Sequence, residues 1–518
     1  MPWFYSLLSL SLVTGSAAMD KHHQPFTTNR TPPEIVYEVY VQSFCDSNND
    51  GIGDLPGLTS KLDYIRDLGA TSIWLMPIHP SPSYHKYDVT DYYGIHPDFG
   101  TMEDMDRFIA EATKRKLKVI LDLVINHTSA EHPWFIASSS SSENEYRNYY
   151  VWKDFESVKD EIEKKASTFD SDNLTQWHEW PGQEERYYGF FWKGMPDLNF
   201  DYPPVREEIY AIAKFWIDKG VDGFRLDAAK HIYPDDQLDK TRMFWEEFTQ
   251  EMRKLKPDIE IIGEVWADPK TLSSLFKGLP SLFNFELAKI IPEAILNQDA
   301  IRLMNTYQYI HENYQSEGVP FDDAILLSNH DMNRVRSTLG GDIQKSKLAA
   351  SILLTLPGTP YIYYGEEIGM MGIKPDIHLR EPFLWGDEQK ADPSWQDAVY
   401  SKPDVVAPLK SQRVDFNSLY HHYKQWIAYR KSYPMMATGT PLFQDMQNSA
   451  VLAYIYTQPN ETLWVIHNLG ASDVRFPFKD KAFNITTGTD VVAGEELVLA
   501  PYATSLISME KRKKTRNN

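Results

Sequence analysis

The residues in this sequence best suited to chemistry are Asp122 and His127, Arg225 and Asp227, Glu264, and the pair His330 and Asp331. Each group follows a short apolar, β-branched run, so each is expected at the C-terminal end of a strand, with all of them converging on one rim. Residues two apart on a strand share a face, so Arg225 and Asp227 in Gly223-Phe-Arg-Leu-Asp227 should point the same way. The guanidinium would hold Asp227 ionised and fixed, as an attacking carboxylate requires. Glu264, in Ile262-Gly-Glu-Val-Trp266, has apolar neighbours that could raise its pKa and let it donate a proton near neutral pH. One ionised and one protonated carboxyl flanking a bond is an arrangement that cleaves glycosides. A gap of about 5–5.5 Å between them would give retention, and about 6.5–9.5 Å would leave room for an inverting water. Taken singly, Arg-x-Asp on a strand is more often an ion pair than a nucleophile, and Asn-His-Asp is usually turn chemistry. At matching strand ends, in chain order, the catalytic reading is the stronger one.

The elements that must position these groups are legible from periodicity. Strands are expected at 35–41, 72–76, 119–124, 223–226, 260–262, 282–285, 324–327 and 361–364. Between them run amphipathic stretches such as Val205, Ile209, Ile212 and Trp216, spaced along one helical face, and Leu58, Leu62, Ile65 and Leu68. Strands and helices taking turns eight times imply an α/β fold, a (β/α)8 TIM barrel, with its active groups at the C-terminal ends of the strands. The barrel is assigned to 30–126 and 200–435. The segment 127–199 is far longer than the usual loop of about 2–6 residues, so an inserted subdomain after strand 3 is expected. It carries Trp134, Trp152, Trp177, Trp180 and Trp192, which suit either a small aromatic core or a carbohydrate-contacting wall, and its serines 138–142 read as a plain loop. From 436 to 510 short alternating runs broken by turn residues predict a C-terminal all-β sandwich domain.

With 52 Lys+Arg against 73 Asp+Glu, the net charge of −21 argues against a nucleic-acid partner, which would demand a cationic surface. Neutral ligands remain, and 25 Phe, 14 Trp and 30 Tyr could stack on the apolar faces of sugar rings. The lone Cys45 excludes a disulfide framework and a cysteine-based zinc site. Residues 1–18 read as a secretory signal peptide, an apolar stretch leaving through Ser16-Ala17-Ala18, so the protein is expected to be secreted, extracellular or periplasmic. No later run is long enough to span a membrane. The basic segment 511–518 reads as a solvated tail, and a monomer is the default expectation.

Asp46, Asn48, Asp50 and Asp54 place oxygen donors at positions 1, 3, 5 and 9 of a loop, with Gly51 at the turn and the Ile52 carbonyl at position 7. That is the front of an EF-hand-like calcium loop, although Gly57 stands where the bidentate Glu would be and no EF-hand helix precedes it. Ca2+ is expected there as a stabilising ion, with water or carbonyls completing the shell.

Asp122-Leu-Val-Ile-Asn126-His127, Gly220-Val-Asp-Gly-Phe-Arg-Leu-Asp227, Glu264-Val-Trp and Ser328-Asn-His-Asp331 resemble the four ordered signatures of the alpha-amylase family of glycoside hydrolases, family 13. Met195-Pro-Asp-Leu-Asn199 resembles a fifth, found in an intermediate group that includes secreted bacterial alpha-amylases. The resemblance covers about residues 30–508. It implies Asp227 as nucleophile, Glu264 as general acid then base, and Asp331 as the stabiliser that grips sugar hydroxyls. It also implies that Arg225, His127, His330 and Asp122 line the −1 subsite, that Tyr87 and Asp88 contact the same sugar, and that Asn126 resembles a position binding another calcium. The family includes endo-hydrolases, exo-acting alpha-glucosidases, oligo-1,6-glucosidases and transferases. Lys230-His231 resembles the leaving-group subsite of amylases that cut inside chains of starch or maltooligosaccharide. Arg380, in Leu379-Arg-Glu-Pro-Phe-Leu-Trp385, resembles the arginine of alpha-glucosidases, and a pairing with Asp88 would close the −1 end and favour exo action. A non-catalytic glycan binder on the same fold is the remaining alternative, and an intact Asp227, Glu264 and Asp331 set speaks against it.

Overall fold

The computed structural model describes residues 34–163, 175–386, 391–478 and 481–510; the stretch 1–18 read as an export signal and the basic segment 511–518 lie outside them. Eight parallel strands close into a barrel: β1 (Val36–Val39), β2 (Ser72–Leu75), β3 (Lys118–Leu123), β4 (Gly223–Leu226), β5 (Glu260–Gly263), β6 (Ser281–Phe283), β7 (Asp322–Leu326) and β8 (Thr359–Tyr363). The ring closes where β8 pairs with β1, Val36 opposite Tyr361. All eight expected strands are present, each within two residues of its expected bounds.

Strand alternation decides what fills the ring. Val36, Trp74, Ile120, Ile262, Phe283 and Tyr361 belong to one buried cluster inside it. Two residues on, along the same faces, come Glu38, Asp122 and Glu264, following Val36, Ile120 and Ile262. On β4 the lower position is Gly223, where a Cβ would come within 2.4 Å of Glu260 Cβ, and above it on the same face stand Arg225 and Asp227. An apolar layer therefore floors a charged one at the C-terminal rim, the geometry expected of this barrel class. Outside the strands, helix Pro203–Lys219 buries Val205, Ile209, Ile212 and Trp216 as its periodicity predicts, and ends at Gly220 in the left-handed region. The amphipathic stretch 58–68 is split into helices Leu55–Ser60 and Leu62–Leu68, broken at Lys61.

Between β3 and that helix lies an inserted unit with helices Pro133–Ser140 and Phe155–Glu163 and a three-stranded antiparallel sheet of Trp152–Lys153, Trp177–Glu179 and Arg186–Tyr188. The serines read as a plain loop are in fact helical as far as Ser140. Ser138 is fully buried, accepts a hydrogen bond from Trp152 Nε1 at 2.9 Å and donates one to the Arg147 carbonyl at 3.2 Å. Phe135 stacks on Trp152 and meets Trp180 and Tyr187 edge-on, so aromatic packing accounts for part of the tryptophan content, while Trp192 stays 45% exposed.

The C-terminal domain is all-β. Its six-stranded antiparallel sheet is ordered Leu442–Gln444, Val451–Thr457, Glu461–Asn468, Thr504–Glu510, Ala482–Asn484, Thr489–Val491. A ribbon of Val474–Pro477 and Glu496–Leu499 shares a buried cluster with it, through Leu497 and Leu499 against Ile466 and Ile507. No helix among the described residues is long and apolar enough to cross a membrane.

Candidate active site

The charged layer is organised around Arg225, whose side chain is fully buried. Its Nη1 donates to Asp122 Oδ1 at 2.9 Å and to Asp227 Oδ1 at 2.7 Å. Its Nη2 lies 2.8 Å from Glu264 Oε2, an ionic contact outside hydrogen-bonding alignment. Asp227 and Glu264, 37 positions apart in the chain, thus sit on two nitrogens of one guanidinium. The apolar surroundings expected for Glu264 are not what packs there: Trp266 Nε1 donates to its Oε1 at 3.0 Å, and Ala228 N–H donates to its Oε2 at 3.2 Å. Ala228 has φ +47°, a left-handed conformation that a residue with a side chain rarely adopts, directly after Asp227. Trp266 is itself fixed by stacking on Phe285 at 3.6 Å between ring centres.

This arrangement alters the expected electrostatics of Asp227. Arg225 is shared among three carboxylates. Burial pushes the Asp227 carboxyl well above the ordinary carboxylate range; the charges of Glu264 and Asp122 act the same way, and Arg225 opposes them. The Asp227 carboxyl therefore favours its protonated form more than an exposed aspartate does.

A second ionic group stands across the rim. His330 Nδ1 lies 2.6 Å from Glu38 Oε1 and its Nε2 2.8 Å from Asp331 Oδ2. Burial works against the imidazolium, but Asp331 and Glu38 prevail and raise His330 to about 10. Burial likewise opposes charge on Asp331, yet His330 and Arg380 hold its carboxyl far below the usual range. Tyr87 joins the two groups, donating to Asp122 Oδ2 at 3.1 Å while its oxygen meets His330 Nε2 at 2.6 Å and its ring stacks on the imidazole.

A cleft of about 580 Å³ opens above this layer. Tyr87, His127, Asp227, Glu264, Asp331, Lys230, His231 and Arg380 all line it. Asp122, Arg225 and His330 lie beneath and act through the residues they touch; none of the three has exposed side-chain surface. His127 donates through Nε2–H to the Tyr87 carbonyl at 3.0 Å, and burial pushes it down to about 4, so it is neutral. His231 stacks on Phe190 of the insert at 3.9 Å, and Lys230 Nζ pairs with Asp235 at 3.0 Å.

Asp88 and Arg380 do not pair. Asp88 is buried and accepts hydrogen bonds from the Ser81 and Ser83 hydroxyls. Arg380 Nη2 instead lies 3.0 Å from Asp331 Oδ1, and its buried Nη1 has no protein partner. Sequence reasoning also missed several contributors. Glu38 was detectable as an acidic residue alternating inward in an apolar strand; Phe191, Met195, Lys374 and Asp376 line the cleft from segments without such periodicity.

In the 46–54 loop, Asp46 Oδ1 accepts the N–H groups of Asn48 and Asn49 and its Oδ2 that of Gly51. Asp50 accepts Ile52 N–H, and Asp54 caps helix Leu55–Ser60 through Gly57 N–H at 2.6 Å. Burial raises the Asp54 carboxyl, and Asp46 raises it further. Two close, partly buried acids with such a mixed oxygen set fit a hard divalent cation. Among the described residues no three His, Cys, Asp or Glu side chains converge as a cage, so such an ion would depend on Asn48, the Ile52 carbonyl and water. Asn126 Oδ1, just past the end of β3, is buried without a hydrogen-bond partner.

A closed (β/α)8 barrel whose rim carries a bridged carboxylate pair beneath a sugar-sized cleft defines a glycoside hydrolase. Residues 38–439 match the alpha amylase catalytic domain family, and the chain belongs to that family. It is 44% identical over 506 residues to Alpha-amylase 3 of Dictyoglomus thermophilum, covering 96% of this chain and 97% of that protein. It is 32% identical over 556 residues to an oligo-1,6-glucosidase of Parageobacillus thermoglucosidasius, covering 89% of this chain and 95% of that one. The crystal structure of the alpha-amylase from H. orenii superposes with a TM-score of 0.84 at 40% identity, over 93% of this chain and all of that one.

Proposed function

We propose that the protein hydrolyses internal α-1,4-glucosidic bonds of starch and maltooligosaccharides with retention of configuration. The observation that carries this reading is the single guanidinium of Arg225 spanning Asp227 and Glu264 on the floor of the cleft. A double displacement uses one proton on such a carboxylate pair. Glu264 gives it to the glycosidic oxygen as an Asp227 oxygen bonds to the anomeric carbon and the C–O bond breaks. Water then gives Glu264 a proton while its oxygen displaces Asp227, which restores the starting state. Asp331, kept ionised by His330 and Arg380, accepts from sugar hydroxyls, and the free Arg380 Nη1 is a donor available to the same ring. Lys230 and His231 hold the departing end.

The endo reading is supported by the missing Asp88–Arg380 pair, because the gate that would favour exo action is not formed. The 44% identity to Alpha-amylase 3 of Dictyoglomus thermophilum along nearly the whole chain, against 32% to the oligo-1,6-glucosidase, leans the same way. Ca2+ held by Asp46, Asn48, Asp50, the Ile52 carbonyl and Asp54 would neutralise the loop's acids and stiffen the segment after β1. Export through residues 1–18 is part of the same proposal and is tested by N-terminal sequencing of the mature protein. Incubation with soluble starch and with a maltoheptaoside blocked at its non-reducing end tests the central reading. Internal cleavage of the blocked substrate supports it; glucose released only from unblocked maltose would replace it with exo action.

A further inference from the structure

The inserted unit carries a second hollow of about 720 Å³, lined by Trp180, Gln183, Arg186, Tyr187, Trp192 and Gly194 among others. Trp192 belongs both to this hollow and to the active-site cleft. Its position is built in: a Cβ on Gly194 would come within 2.2 Å of Trp192 Cζ2, so the indole lies where only glycine admits it. The surrounding turn is pinned by Met195 N–H donating to the Trp192 carbonyl, by Ala130 N–H donating to the Gly194 carbonyl and by Tyr187 OH donating to the Lys193 carbonyl. Trp180 contributes a half-buried indole, held on its inner side by edge contacts with Phe135 and Tyr187. Arg186, paired with Glu179 at 2.7 Å, supplies charged hydrogen-bonding groups beside the two rings.

Two aromatic rings flanked by polar side chains and continuous with the cleft are suited to an amphipathic polymer whose repeating units have one apolar face. We propose that this hollow binds the glucosyl units of a long α-glucan that run past the cleft over Trp192, so that it selects long chains over short ones. The inference rests on the glucan reading of the cleft and deepens it.

The test compares kcat/KM for maltoheptaose and maltotriose in the native protein, in Trp180→Ala and in Trp180→Tyr. Loss of one stacking face should lower the heptaose-to-triose ratio about tenfold in Trp180→Ala, and the aromatic replacement should restore most of it. Looser packing of the insert would lower both substrates together and leave the ratio alone, and an unchanged ratio overturns the proposal. Lys193→Trp, which adds bulk at the hollow's edge without touching the aromatic core, should also lower the ratio. If the native protein turns over neither oligosaccharide, the hydrolytic reading fails separately. Maltoheptaose titrated calorimetrically into Asp227→Asn and Asp227→Asn/Trp180→Ala then decides the hollow: weaker binding to the double variant supports it, and equal affinity overturns it.

Discussion

Arg225 reaches Glu264 as well as Asp227, with Nη2 2.8 Å from Glu264 Oε2. Glu264 is thereby fixed by a charge on the neighbouring strand. Replacing the fork by a point charge should break that arrangement. Arg225→Lys is expected to lose at least about 100-fold in kcat, and Arg225→Ala should in addition unfold several degrees lower. Removing one partner from a buried ionic cluster costs about 3–5 kcal/mol. Steady-state kinetics with a thermal melt on each variant checks both statements, and near-native kcat in Arg225→Lys would refute the bridging role.

The carboxylate pair itself gives a sharper expectation. Asp227→Asn and Glu264→Gln should each lose roughly 10³–10⁵ in turnover with the melting temperature preserved or raised, since each removes a buried acid while keeping its shape. Activity retained in either variant would remove that residue from its proposed role.

His330 makes stability depend on pH in a defined direction. Its folded value of about 10 lies above the ordinary histidine range near 6.5, so its stabilising contribution is complete below about pH 6.5 and fades as pH rises through 10. The groups facing it are Glu38, Asp331, the Tyr87 hydroxyl and the Trp74 ring. The native protein should therefore melt well above His330→Gln at pH 6, and the difference should shrink steadily toward pH 10. A difference that grows with pH would mean that the imidazole is neutral in the folded chain.

The acidic loop after β1 predicts a metal dependence of stability and not of chemistry. Treatment with a chelator should lower the melting temperature, Ca2+ should restore it, and Asp46→Asn should reduce the response. A melting temperature indifferent to chelation would count against a bound ion.

Much of this molecule was legible in the sequence because alternation does two jobs at once. The same period of two that marks β4 and β5 as strands also orients Arg225, Asp227 and Glu264 inward, so fold and candidate site emerge from one pattern. What was not legible depended on side-chain choices made in three dimensions. The sequence offered Asp88 as a partner for Arg380; in the fold Ser81 and Ser83 already satisfy Asp88, and the guanidinium meets Asp331 instead. The surroundings of Glu264 were misjudged because its flanking residues are apolar, whereas its contacts come from Arg225 on the adjacent strand and from the turned backbone of Ala228. The serines near 140 looked like a loop by composition, and the aromatic packing of Phe135 and Trp152 made them the end of a helix.

The central claim is that Asp227 forms a covalent bond to the sugar while Glu264 handles the proton. The anomeric form of the first reducing-end product, read by proton NMR within the first minutes of maltoheptaose cleavage and before mutarotation, tests it most directly. Initial accumulation of the α-anomer is the predicted result. Initial accumulation of the β-anomer would mean that water attacks directly, and it would contradict the assignment of Asp227 as nucleophile.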